Sequence, residues 1–166
     1  MGAVEEHKAH APKSVKCAVI TISDSRTEAT DESGKILRQL VLEAGHKVLF
    51  TAVVKDDAKA IEEAVEQAAW TCDAIVTNGG TGLGPRDVTI ETLKPRLDKM
   101  LPGFGELFRT LSYREIGSAA MLSGALAGVY KARLLFCLPG SPAACTLAMR
   151  SLILPELGHA IGVMSR

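Results

Sequence analysis

Apolar residues recur along this chain with two different periods. Val15 to Ile22 is a nearly continuous apolar run centred on Cys17-Ala18-Val19-Ile20, and Val48 to Val54 and Asp73 to Thr77 form two more. Short, unbroken runs of this kind predict strands covered on both faces, as in a parallel sheet. Between the strands the period lengthens: Ile36, Leu37, Leu40, Val41 and Ala44 form one stripe, and Ile61, Val65, Ala68 and Ala69 another. These stripes predict two amphipathic helices. Gly45 closes the first, Asp56 or Asp57 caps the second, and Trp70 at its end reads as a packing residue. Ile90, Leu93 and Leu97 predict a further helix after Thr89. Pro102-Gly103 breaks that pattern, and Phe104, Leu107, Phe108 and Leu111 begin the next helix. The small-residue stretch 117–129 reads as close packing or a ligand-facing loop. Leu134 to Leu138 is another strand, followed by Pro139-Gly140-Ser141-Pro142, a helix from about Ala143 and a final helix over roughly 151–163. Alternating strands and helices predict an α/β domain with right-handed crossovers. The polar runs 23–33, 55–57 and 78–89 each follow a strand and so converge on one rim of the sheet, where such folds bind ligands.

Composition narrows the classes. At 166 residues, with 47% hydrophobic and 23% charged residues, the chain reads as one globular domain with a sizeable core. Nineteen basic and nineteen acidic residues cancel, which argues against general attraction to nucleic acid or an anionic membrane. Any anionic ligand is then held by local geometry. No stretch approaches the ~20 apolar residues of a membrane span, and the polar N-terminus lacks a signal-peptide core. Cys17, Cys72, Cys137 and Cys145 show no close metal-ligand spacing, in keeping with a reduced, cytoplasmic protein. Residues 1–13 read as a flexible tail, with His7 and His10 at metal-compatible spacing, and 14–166 as the domain.

The densest chemistry lies in Thr77-Asn78-Gly79-Gly80-Thr81-Gly82-Leu83-Gly84-Pro85-Arg86-Asp87-Val88-Thr89. Glycines let consecutive backbone amides approach one anion, and the following helix N-terminus adds a favourable dipole. Asp87 has the wrong charge for phosphate unless a cation lies between them. The loop therefore reads as a phosphate cradle with a carboxylate ready for a metal; the plainer alternative is a flexible turn. It is not a P-loop, because Pro85-Arg86 stands where Lys-Ser/Thr is required. Nor is it a dinucleotide fingerprint: counted from Gly80 the third glycine position is Pro85, and counted from Gly82 it is Asp87. Pro139-Gly140-Ser141-Pro142 is a second, weaker anion-binding turn.

Thr77-Asn78-Gly79-Gly80-Thr81-Gly82, with Arg86, Asp87 and Thr89, resembles the signature of the molybdenum cofactor biosynthesis family of MoaB/MogA type. Ser23-Asp24-Ser25, Asp31 to Gly34 and Pro139-Gly140-Ser141-Pro142 fit the same family. Ser112-Tyr113, Glu115-Ile116-Gly117 and Ala125-Leu126-Ala127-Gly128 bring it nearer the MoaB branch. The resemblance spans about 15–162. It implies a three-layer α/β/α sandwich with a mostly parallel sheet, assembled as trimers or hexamers and working alongside other proteins of the pathway. It also implies adenylylation of molybdopterin by ATP with Mg2+. On this resemblance Asp56 and Asp87 are the catalytic, metal-holding carboxylates, and Gly79, Gly80, Thr81 and Gly82 cradle the nucleotide phosphates. Pro102 and Gly103 shape the nucleotide pocket, with Glu106 nearby. Ser23, Asp24, Ser25 and Ser141 face the molybdopterin.

Each assignment has a plainer alternative: a helix cap for Asp56 and Ser141, a cap or a partner of Arg86 for Asp87, turn chemistry for Ser23 to Ser25, and a solvated charge for Glu106. The chain also departs from the pattern, with Ser123-Gly124-Ala125 where the family commonly has Ser-Arg-Ala. This removes a permanent charge and up to five donors unless Arg114, Lys131 or Arg133 replaces them. A non-catalytic molybdopterin carrier is therefore the alternative to an enzyme. A nucleotide-binding regulatory or scaffold protein is a third reading.

Overall fold

A computed structural model describes residues 11–165; His7, His10 and the first ten positions of the expected tail lie outside them. Ala11 and Pro12 lie along the last helix, where a side chain on Gly158 would come within 2.6 Å of the Pro12 carbonyl oxygen.

Six strands form one sheet: β1 (Lys16–Ile22), β2 (Lys47–Val54), β3 (Ala74–Asn78), β4 (Lys99–Met100), β5 (Leu126–Tyr130) and β6 (Arg133–Leu138). Their order is β2-β1-β3-β6-β5-β4. The first four in that order run parallel, β5 is antiparallel to β6, and β4 is antiparallel to β5. Side chains alternate across the pleat. Cys17, Val19, Ala74, Val76, Leu134, Phe136 and Leu138 enter one core, while Ala18, Ile20, Ile22, Ile75, Leu135 and Cys137 enter the other. Helices α1 (Glu32–Glu43), α4 (Pro102–Ile116), α5 (Pro142–Ala148) and α6 (Leu154–Met164) cover the first face through Leu37, Val41, Phe108, Cys145, Ala148 and Leu157. Helix α2 (Ala58–Thr71) and the short α3 (Thr89–Leu93) cover the second through Ile61, Val65, Ala68 and Leu93. The result is the three-layer sandwich expected from the sequence. No helix among the described residues is long and apolar enough to cross a membrane.

Gly45 ends α1 with φ +84°. His46 N–H donates to the Val41 carbonyl and Gly45 N–H to that of Leu42, the paired bonds of a Schellman cap. Asp57, not Asp56, caps α2, accepting from Ala60 N–H at 2.9 Å.

Several elements differ from the sequence reading. The stretch 117–129 supplies β5, a strand disguised by Ala127-Gly128. A side chain on Gly128 would strike the Lys99 carbonyl of β4, which accounts for a glycine inside a strand. Helix α3 stops at Leu93, and Lys94–Arg96 form one 3-10 turn around Pro95 before Leu97 turns extended. Pro102 opens α4 rather than breaking a helix, since proline suits a first turn whose N–H groups are unpaired anyway. Helices α5 and α6 join through a π turn at Met149–Ile153. Pro155 has no N–H for the Ser151 carbonyl, and the backbone adjusts one turn earlier. Trp70 is not a packing residue: it sits on the outer face of α2, 76% exposed.

Candidate functional site

The rim begins with buried polar groups at the strand ends. Asn78 donates to Thr21 Oγ1 at 2.9 Å, and Thr21 donates to Asp31 Oδ2 at 2.7 Å. Asp31 in turn caps α1, accepting from Gly34 N–H at 2.9 Å. This chain of bonds fastens the carboxyl ends of β1 and β3 to the start of α1, so the loops leaving them have fixed roots.

From that root the glycine turn rises. Gly79 and Gly80 have φ of +97° and +65°, a region that L side chains rarely enter. A side chain on Gly79 would strike the Ile22 carbonyl, and one on Gly80 would strike Thr89 Oγ1. The turn is pinned by Thr89, whose N–H donates to the Gly80 carbonyl at 2.9 Å and whose hydroxyl donates to the Gly79 carbonyl at 2.9 Å. Gly79 N–H is taken by the Leu138 carbonyl. Among the described residues, the amides of Gly80, Thr81 and Gly82 donate no hydrogen bond.

Two carboxylates flank those free amides. Asp56 Oδ1 lies 2.9 Å from where a Cβ on Gly80 would stand, and Asp87 Oδ2 lies 3.0 Å from the same point on Gly82. Both residues are half-buried. Asp87 also accepts from Gly84 N–H at 3.0 Å, which aims its carboxylate back into the loop. Burial, reinforced by the nearby charges of Asp24 and Asp87, raises the pKa of Asp56.

The Ser23–Ser25 turn stands beside this pair. Ser23 Oγ accepts from the amides of Ser25 and Arg26 at 3.2 and 3.1 Å. Asp24 is gripped by Arg86 across two bonds of 2.9 and 3.1 Å and also accepts from Asp56 N–H at 3.2 Å. Hydrogen bonding from Arg86 holds the Asp24 carboxyl below its ordinary pKa. Arg86 therefore partners Asp24 rather than Asp87, and the 23–26, 55–57 and 78–89 loops are tied together. The second turn abuts the first: a side chain on Gly140 would stand 3.3 Å from Gly79 Cα. Ser141 caps α5, accepting from Ala144 N–H at 3.2 Å. A cavity of about 120 Å³ opens where these turns meet, lined by Thr21, Ser23, Arg26, Ser33, Asn78 and Gly140.

The chain as a whole is similar to known proteins. Residues 18–159 match the family described as "Probable molybdopterin binding domain". The chain belongs to this molybdopterin-binding family. It is 54% identical over 159 residues to molybdenum cofactor biosynthesis protein B of Bacillus cereus, covering 94% of each chain. A crystal structure of a molybdenum cofactor biosynthesis protein B superposes with a TM-score of 0.91 at 52% identity, covering 95% of this chain and 99% of that one. The tungsten cofactor synthesizing protein MoaB from Pyrococcus furiosus gives 0.86 at 35% identity, covering 94% of this chain and 100% of that one.

Within this molybdopterin-binding domain, Gly124 is packed directly on the glycine turn: a side chain there would strike the Thr81 carbonyl. Two of the three cations expected to compensate for Gly124 are turned to other partners. Lys131 and Arg133 lie at the opposite end of the sheet, on Glu66 and on the Ala69 carbonyl, and Arg114 is exposed in the last turn of α4. Pro102 and Gly103 start α4 at the outer edge of the rim, where Leu101 N–H donates to the Ala127 carbonyl. Glu106 is exposed, with no side-chain partner among the described residues. Sequence reasoning missed Thr21 and Asn78, whose signal was a polar pair closing two apolar strands.

Proposed function

We propose that this chain acts in molybdenum cofactor biosynthesis as a molybdopterin adenylyltransferase that uses Mg-ATP and releases pyrophosphate. The reading is carried by one observation: Asp56 and Asp87 flank three backbone amides with no partner of their own, in a turn held rigid by Thr89. Two carboxylates from separate loops suit a magnesium ion that keeps its waters and completes its coordination with substrate phosphates. No group of three or more His, Cys, Asp or Glu able to hold a metal alone occurs among the described residues. Asp56 and Asp87 would hold the ion, which when bound supplies positive charge against the phosphates.

The reaction joins two anions. An oxygen of the pterin's terminal phosphate bonds to the α-phosphorus of ATP as the bond to the β-phosphate's bridging oxygen breaks, and pyrophosphate leaves with that electron pair. The protein's part is to position the reactants and to set dipoles in advance where charge accumulates. The amides of Gly80, Thr81 and Gly82 orient the triphosphate, and because Thr89 pins the turn they need no rearrangement. Ser23 lines the adjoining cavity, Asp24, Ser25 and Ser141 lie in the turns that supply its other walls, and the four take the molybdopterin side. Asp24 does so mainly by fixing Arg86, and Pro102 and Gly103 bound the nucleotide side. Exposed Leu107, Tyr113, Ile116, Met121 and Leu122 on and after α4 form the face through which copies assemble as trimers or hexamers.

Purified protein given molybdopterin, ATP and magnesium should release pyrophosphate. Asp87→Ala should slow release by about a hundredfold or more, the scale of removing one preorganised electrostatic contact, with its thermal transition retained. Normal turnover in that variant overturns the assignment. Gly124 favours a second reading, a molybdopterin carrier that lacks one cation. Calorimetry separates the two, since a carrier binds the pterin with no magnesium-dependent ATP binding.

A further inference from the structure

Arg109 stands apart from the other arginines. It is half-buried, yet among the described residues its guanidinium has no hydrogen bond or ion pair. The other half-buried arginines are engaged, Arg38 beside Asp31 and Arg133 on the Ala69 carbonyl. Five donors withdrawn from water without a partner are costly unless something else occupies them.

Its position shows where that occupant belongs. Long side chains on a helix lean toward its N-terminus, and α4 begins at the rim. Arg109 lies back along the helix over Gly105, with Nη2 and Nη1 at 2.8 and 3.2 Å from where a Cβ on Gly105 would stand. The Ala125 carbonyl oxygen lies 3.1 Å from that same point. The preceding residue, Gly124, is the one pressed on the Thr81 carbonyl. The guanidinium thus shares the space over Gly105 with the carbonyl of Ala125, the residue that follows the contact joining 123–125 to the glycine turn. It also lines a groove of about 510 Å³ with Thr110, Tyr113, Arg114 and Met121.

The charge at the rim supports the same conclusion. Arg86 is consumed by Asp24 and Arg26 stands on the cavity side, on the Thr30 carbonyl, so Asp56 and Asp87 are the charges immediately beside the free amides. Anionic reactants at this flank need a cation that is not already neutralised. We propose that Arg109 is a phosphate-binding residue on the β5 flank of the glycine turn, a role that rests on reading this rim as a phosphate site. Gly105 is the residue that lets the guanidinium lie back along the helix toward it.

The test uses the full chain and inorganic pyrophosphate without magnesium, titrated by calorimetry, beside wild-type, R109A, R109K and R114A proteins. R109A should bind about tenfold or more weakly, R109K should recover part of that loss, and R114A should match wild type. In turnover assays R109A should raise KM for ATP more than it lowers kcat. The proposal is overturned if R109A binds within about twofold of wild type on the scale of one lost charged contact, if wild type shows no pyrophosphate affinity, or if R109A only splits the oligomer in light scattering while each protomer binds as before. Pyrophosphate binding that depends on Arg109, with no adenylylation, would remove the enzymatic reading and leave this one standing. Adenylylation that is indifferent to Arg109 would do the reverse.

Discussion

Replacing Gly80 by alanine tests how the phosphate turn is built, because two separate costs meet at that residue. Its φ of +65° lies in the left-handed region, which costs a residue with a Cβ about 1–2 kcal/mol. The added methyl would also collide with Thr89 Oγ1 and come within 2.9 Å of Asp56 Oδ1. Relief requires Thr89 to move off the Gly79 carbonyl, a buried bond of 2.9 Å, and losing such a bond costs about 1–3 kcal/mol. Together G80A should destabilise the fold by about 2–5 kcal/mol and lower the thermal midpoint by about 4–20 °C in a domain of this size. Two other glycines separate the terms. Gly45 has φ +84° with nothing within 4 Å of an added Cβ, so G45A should show the backbone cost alone. Gly103 has open space and helical backbone, so G103A should be neutral or slightly stabilising. Urea unfolding of the three variants beside wild type gives each difference. If G80A costs no more than G45A, the turn is not locked by Thr89 and the argument for preorganised amides fails.

Two further outcomes follow from other parts of the structure. The β5–β6 turn places Lys131 and Ala132 at φ of 45° and 58°, a geometry that favours glycine at its second position; A132G should therefore raise stability by about 0.5–1 kcal/mol, measured by urea unfolding. Burial pushes the Cys17, Cys137 and Cys145 thiols up to about 12 and raises that of Cys72. All four should therefore stay protonated and resist alkylation at pH 8 in the folded protein, reacting only in denaturant. Rapid native labelling of Cys137 would contradict its burial.

The fold was legible where the physics is local. The runs at Cys17–Ile20 and Ala74–Val76 are apolar throughout because helices cover both faces, and such runs read directly as parallel strands. β5 was hidden because Gly128 is there to let Lys99 approach, a reason that exists only once β4 lies beside it. Asp56 and Asp57 could not be told apart as caps from sequence, since the choice depends on where the first turn of α2 begins. In the site, the glycine turn and the convergence of three loops could be read from strand-end positions. The Arg86–Asp24 grip could not, because those residues are 62 positions apart. Arg109 carried no signal, since its isolation depends on Gly105 and Ala125 meeting across α4 and β5.

The central claim rests most directly on a mass spectrum of the chain incubated with molybdopterin, ATP and magnesium. Molybdopterin should gain the mass of one adenylyl group as pyrophosphate accumulates, and with Asp87→Ala both should form about a hundredfold or more slowly. Unmodified molybdopterin with intact ATP, from protein that binds both, would contradict it.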